Sequence, residues 1–265
     1  MRILFIGDIF AKVGRDLVKR AVPALVASRG IDLVIANGEN SAGGFGITRE
    51  IARELLDTGI AVMTSGNHVW DKREILAFID DEPRLLRPFN YPAGTPGRGS
   101  TIVTTPSGAR VAILNLMGRV FMTAIDDPFS LGRAEVERLK AHADIVFVDF
   151  HAEATSEKVA MGWHLDGLAT AVVGTHTHVQ TADAQVLPGG TAYCTDVGMT
   201  GPHDGVIGVD RVTVIQRFLT GLTSKFDTAA GMPRLHGVIV TADDTGRATN
   251  IERLSLTPTD IEDLR

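Results

Sequence analysis

His176 and His178 stand two residues apart, just beyond a short apolar run that ends at Gly174. Residues 169–174 are small and β-branched and read as a buried strand. If that extended geometry continues past Gly174, side chains alternate and both imidazoles project from the same side. Two imidazoles so placed can hold a metal ion. Other donors follow further apolar runs: Asp8 after Gly7, Glu39 and Asn40 after Gly38, Asn67 and His68 after Gly66, and His151 after residues 144–150. In an open α/β sheet, ligands bind outside the carboxyl ends of the strands. Five strand ends carrying ligand-type residues therefore predict one assembled metal site, although any single member alone reads as a turn former or a helix cap.

Imidazole, carboxylate and amide oxygen without thiolate suit iron or manganese, with zinc a third choice. Asp8, Glu39, Asn40, Asn67, His151, His176 and His178 are more donors than one tetrahedral ion can use. Two divalent transition-metal ions at the ~3.5–4 Å spacing of two-metal hydrolases would use them all, sharing a carboxylate and a bridging hydroxide. Two such ions bring four positive charges, of which Asp8 and Glu39 offset two and the hydroxide one. About one net positive charge then remains to attract a phosphate anion. The implied chemistry is phosphoester hydrolysis by attack of that hydroxide. His68, beside a ligand but not needed as one, is the candidate general acid for the departing alkoxide, with phosphate binding as its other reading. Asp71, three residues on, is weakly placed to tune it.

These donors need a frame. Strands are expected over residues 2–7, 32–36, 60–65 and 144–150, and helices over 14–29, 48–57, 128–143 and 155–168. Residues 101–105 and 110–116 form a hairpin, which makes the sheet mixed. Residues 83–100 carry four prolines and three glycines and read as an irregular excursion that could rim the site. Residues 184–187 and 191–195 read as strands, 198–208 as a glycine-rich loop, 210–222 as a helix, and 235–242 with 247–256 as a closing hairpin. Gly43-Gly44-Phe45-Gly46 lacks the spacing of a phosphate-binding loop and reads as a mobile turn that could rim the site. His164 reads as structural, His142 and His236 as surface and strand residues, and His203 as a loop residue placed either to touch substrate or to lie on the surface.

Composition narrows the classes. The 265 residues, 44% hydrophobic and 22% charged, predict one globular domain over 1–265. A net charge of −6 disfavours extended nucleic acid as a partner. One cysteine, Cys194, excludes an internal disulfide. With no signal-like or membrane-spanning run, the expected location is cytoplasmic. A homo-oligomer is compatible with the sequence, without an exposed heptad or interface stripe to specify one. No Gly-x-Ser-x-Gly elbow supports acyl chemistry.

Gly7-Asp8, Gly38-Glu39-Asn40, Gly66-Asn67-His68, His151 and His176-Thr177-His178 together resemble the ordered motifs of the calcineurin-like metallophosphoesterases. Residues 149–153, 174–183 and 195–201 are most similar to segments of the bacterial YmdB-type phosphodiesterases, and the likeness runs from residue 1 to about 256. The resemblance implies an α/β fold, a four-layer α/β/β/α sandwich of two mixed sheets. It implies one ion on Asp8, Asn40 and His178, a second on Asn67, His151 and His176, and Glu39 bridging. The wider superfamily has histidine where Phe10 stands, aspartate where Glu39 stands, and no residue in the place of Thr175. These departures fit the YmdB-type subgroup. The expected substrate is a small phosphodiester such as a 2′,3′- or 3′,5′-cyclic nucleotide. A phosphomonoesterase and a metal-stabilised regulatory or scaffold protein are the alternatives.

Overall fold

A computed structural model describes residues 1–264. Two sheets lie face to face between helices. The first runs in the order β2 (Asp8–Ile9), β11 (Met199–Pro202), β12 (Pro233–Ala242), β1 (Arg2–Ile6), β3 (Leu33–Asn37), β4 (Val62–Thr64), with β13 (Ala248–Leu256) also paired to β12. The second runs β5 (Ser100–Thr104), β6 (Arg110–Met117), β7 (Ile145–His151), β8 (Ala171–Thr175), β10 (Ala192–Cys194), β9 (Gln185–Val186). Both are mixed: β1 pairs β3 in parallel and β12 antiparallel, and β6 pairs β7 in parallel and β5 antiparallel.

Period-two alternation makes the layers. On β1, Leu4 and Ile6 pack under α1 (Ala11–Arg29) and α2 (Arg49–Leu56), while Ile3 and Phe5 face the second sheet. On β7, Val146, Val148 and Phe150 pack under α3 (Pro128–Lys140) and α4 (Thr155–His164), while Ile145 and Phe147 face back. The Phe5 and Phe147 rings stack across the gap at 5.4 Å. Each such buried ring contributes about 1.5–3 kcal/mol. These four layers are the expected α/β/β/α sandwich. Continuing the inward face of β7 brings Asp149 and then His151 to the carboxyl end of the gap, both with no exposed surface.

The helix limits follow local chemistry. Gly30 closes α1 at φ 57° with its N–H on the Val26 carbonyl, and the Thr48 hydroxyl caps α2 by accepting from the Ile51 N–H. Three differences from the sequence reading are long-range in origin. Asp8 begins a separate short strand rather than ending β1, because it pairs with Met199. Met199–Pro202, read as part of a glycine-rich loop, is a strand because β2 and β12 flank it. The fifth helix, α5 (Arg211–Thr220), shows solvent Val212, Ile215, Phe218 and Leu219, an apolar stripe that the sequence reading did not separate from its buried side. Residues 83–99 carry no strand, as expected, and β5 begins at Ser100; the segment does not rim the site. Among the described residues no helix is long and apolar enough to cross a membrane.

Candidate metal centre

The five strand ends deliver their donors to one place. His151, the last residue of β7, has its Nε2 2.9 Å from Asn67 Oδ1, 3.1 Å from Glu39 Oε1 and 3.1 Å from His176 Nδ1. Asn40 Nδ2 lies 3.2 Å from His178 Nε2 and 3.5 Å from Asp8 Oδ1, and His178 Nε2 is 3.8 Å from Asp8 Oδ1. Glu39 Oε1 is also 3.3 Å from Asn40 Nδ2, so this one carboxylate touches both groups. All seven expected donors are brought together. Glu39, His151 and His176 have ligand atoms within 4.8 Å of one another, the spacing of a metal-binding set.

Close approach is possible because Gly66 has no side chain: a Cβ there would fall 2.2 Å from His151 Nε2. The His176–His178 turn departs from expectation. Neither histidine is extended; φ is 99° at His176 and 66° at His178, so both reach the site through left-handed kinks rather than pleat alternation. Asp196 holds the turn. Its Oδ2 accepts from the Thr177 N–H at 3.1 Å, the Thr177 hydroxyl at 2.7 Å and Lys158 Nζ at 2.8 Å.

Outer contacts aim the rings. His178 Nδ1–H donates to the Ile207 carbonyl at 3.0 Å, which leaves Nε2 as the free lone pair. His176 Nε2 lies 3.0 Å from Glu153 Oε2, leaving Nδ1 inward. His151 Nδ1 meets Thr175 Oγ1 at 2.9 Å, and that hydroxyl donates to Asp149 Oδ1 at 2.8 Å. Thr175, the extra residue relative to the wider superfamily, thus has a place in the frame.

Burial opposes a charge on His151, yet Glu39, Asp8 and Asp149 outweigh it and raise its pKa to about 9. Burial would raise Glu39, but His151 overrides it and lowers the carboxyl to about 2. Burial, then the His151 charge, lowers His176 to about 3. A cation held here must displace the proton on His151, because only the free lone pair can ligate. Asn40 Oδ1 is buried without any partner, an unfilled acceptor at the donor cluster. The donor set and this orphaned oxygen fit a metal ion.

The donors open onto a pocket of about 270 Å³ lined also by Phe10, Phe45, His68, Glu153, Thr177, Ile207 and Phe226. His68 lies at its edge, with its N–H on Glu39 Oε2 at 3.0 Å and its Nδ1 2.8 Å from Asp71 Oδ2, so the pairing with Asp71 is present. His203 does not reach the pocket; it bonds the Met199 carbonyl and packs on His236. His164 packs on Phe129 and is structural. Buried Cys194, its thiol pushed up to about 12 by burial, is inert filler. A larger cavity of about 380 Å³, lined by Val22, Val26, Val103 and Pro106, holds no donor cluster.

Sequence reasoning missed Glu153, Lys158 and Asp196. Glu153 had a signal, two residues after His151 in a motif already singled out. Asp196 had the same kind of signal, within the segment 195–201. Lys158 had none, since a lysine in a helix is ordinary on a surface.

The family model described as YmdB-like protein matches residues 4–254. The chain is 52% identical over 255 residues, 96% of each chain, to the 2′,3′-cyclic-nucleotide 2′-phosphodiesterase of Bacillus subtilis (strain 168). A hypothetical protein from Thermus thermophilus superposes with a TM-score of 0.91 at 44% identity, covering 97% of this chain and 99% of that one. A novel phosphatase from Mycoplasma pneumoniae gives 0.91 at 32% identity, covering 100% and 99%. With a matched model over nearly its whole length and a relative of this identity, the chain belongs to the YmdB-like family.

Proposed function

We propose that this chain is a metal-dependent phosphodiesterase acting on small phosphodiesters, with 2′,3′-cyclic nucleotides as the substrate class. The observation that carries the proposal is the convergence of seven donors in one cluster, with Glu39 in contact with both donor groups and with Glu39, Asn40, His176 and His178 lining the pocket above it. Asp8, Asn40 and His178 would hold one divalent ion, Asn67, His151 and His176 a second, and Glu39 would bridge. Iron or manganese suits the donors best. Bound there, the ions supply Lewis acidity and a nucleophile drawn from water at neutral pH. The chain's own residues do the rest. Asp8 and Glu39 set the charge, Glu153, Thr175 and the Ile207 carbonyl fix the imidazoles, and His68 donates a proton to the leaving oxygen. The pocket, at about 270 Å³, falls just below the ~300–1,000 Å³ range of drug-sized sites, a scale that suits a small substrate. The activity printed for the Bacillus subtilis relative supports the same substrate class.

Metal analysis and a substrate panel test the reading. Purified protein should carry about two ions per chain. Loaded with manganese or iron, it should hydrolyse 2′,3′-cyclic nucleotides, and bis-aryl phosphate faster than mono-aryl phosphate. A loaded protein that prefers the monoester would be a phosphomonoesterase.

His68→Ala should lower kcat on a cyclic nucleotide by about 10²–10³-fold with metal content kept. The loss should be much smaller on bis(p-nitrophenyl) phosphate, whose leaving group needs no proton. Equal losses on both would make His68 a phosphate-binding residue instead.

A further inference from the structure

The pocket has two unlike walls. One is the donor cluster with His68, Glu153 and Thr177; the other is Phe10, Phe45, Ile207, Val209 and Phe226. Phe10 and Val209 are buried and form its backing, whereas Ile207 is 50% exposed and Phe45 and Phe226 are half-buried. The Phe45 ring meets His68 edge-on at 4.9 Å.

The loop that presents Phe45 is built for one shape. Gly44 and Gly46 have φ of 97° and 76°, and a Cβ would come 2.9 Å from Phe10 Cζ at the first and 2.9 Å from the Lys72 backbone nitrogen at the second. The Gly43-Gly44-Phe45-Gly46 motif is therefore a fixed mount for an aromatic ring beside the site. Ile207 sits at φ 46°, a conformation that β-branched residues avoid, and strained residues persist where the surroundings hold them at ligand-contacting positions. Its carbonyl aims His178 and its side chain lines the apolar wall, so one residue serves both walls.

The polar side chains that line the pocket are few and turned toward the phosphate end. Thr177 donates to Asp196, Glu153 Oε2 pairs with His176, and His68 Nδ1 pairs with Asp71. The others belong to the donor cluster. The wall formed by Phe10, Phe45, Ile207, Val209 and Phe226 carries no polar side chain to read the hydrogen-bonding edge of a base.

We propose that Phe45, with Ile207 and Phe226, is a platform for the base of a nucleotide, one that binds the ring by stacking and does not discriminate among bases. This rests on the phosphodiesterase reading for the position of the phosphate. Stacking tolerates any base because every base has a π-face, whereas a site built to hydrogen-bond a substrate rejects analogues by 10⁴-fold or more, on the order of what synthetases achieve.

The test compares the four 2′,3′-cyclic nucleotides with 1-O-methylribose 2,3-cyclic phosphate, which has no base. Wild-type kcat/KM should agree within about tenfold across the four bases. Phe45→Ala should raise KM for the nucleotides roughly tenfold more than for the baseless diester, with Phe45→Trp restoring it. Equal losses on both substrate types would overturn the platform, as would a base preference of about 10³-fold or more. Binding of adenosine 3′-phosphate and of ribose 3-phosphate, measured by calorimetry, separates the two readings. A wild-type protein that turns over no diester refutes the phosphodiesterase reading. The platform is still supported if Phe45→Ala selectively weakens the adenosine compound, and refuted if it does not.

Discussion

Glu39→Gln is expected to lower turnover of a 2′,3′-cyclic nucleotide by on the order of 10³-fold, which is about 4 kcal/mol of transition-state stabilisation. The substitution keeps the side chain's size and removes one of the two negative charges facing the proposed ions. Glu39 is 1% exposed and touches His151, Asn40 and the His68 N–H, so its carboxylate faces both donor groups at once. An amide nitrogen turned toward His151 would repel a cation that the carboxylate attracts. Bound metal should therefore fall with activity, while the far-ultraviolet dichroism stays native. A variant that keeps its metal and more than about a tenth of wild-type kcat would refute the bridging role.

Lys158→Met should cost about 3–5 kcal/mol of stability. Lys158 is 1% exposed on α4, and its ammonium meets the fully buried Asp196 carboxylate at 2.8 Å. Taking away the cation leaves the carboxylate buried, with the Thr177 N–H and hydroxyl and the Gly198 N–H as its remaining partners. The melting temperature should drop by on the order of 10 °C. Pairing the change with Asp196→Asn should recover part of the loss, because the uncompensated charge is then gone. Activity should fall too, since Asp196 holds Thr177 between two histidines in left-handed conformations. A melting temperature within about 2 °C of wild type would show the pair to be dispensable.

Much of the centre was legible because its donors sit at strand ends, and a strand end is a local pattern: an apolar run, a glycine, then a polar residue. Asp8, Glu39, Asn40 and Asn67 were placed in this way, and His151 by the apolar run alone. His176 and His178 were identified correctly for a partly wrong geometric reason. Their spacing suggested an extended strand exit, but the turn is shaped by Asp196 and Lys158, neither of which is adjacent to it in sequence. Phe45 was visible only as a glycine-rich turn. That its ring lines a pocket depends on Phe10 and Lys72, which shape the loop, and on His68, which packs against the ring.

Read alone, the amino-acid order determined most of the strands and helices, though not β2 or β11, which residue types could ligate metal, and that they gather at one end of the sheets. Periodicity and turn chemistry are properties of neighbouring residues and survive without the fold. Tertiary structure alone decided that Asp8 pairs with Met199 to make a strand, that Thr175 links His151 to Asp149, and that a buried lysine secures the histidine turn. Each of these joins residues far apart in the chain. Their energies come from burial and from partners that exist only after the two sheets have closed on each other.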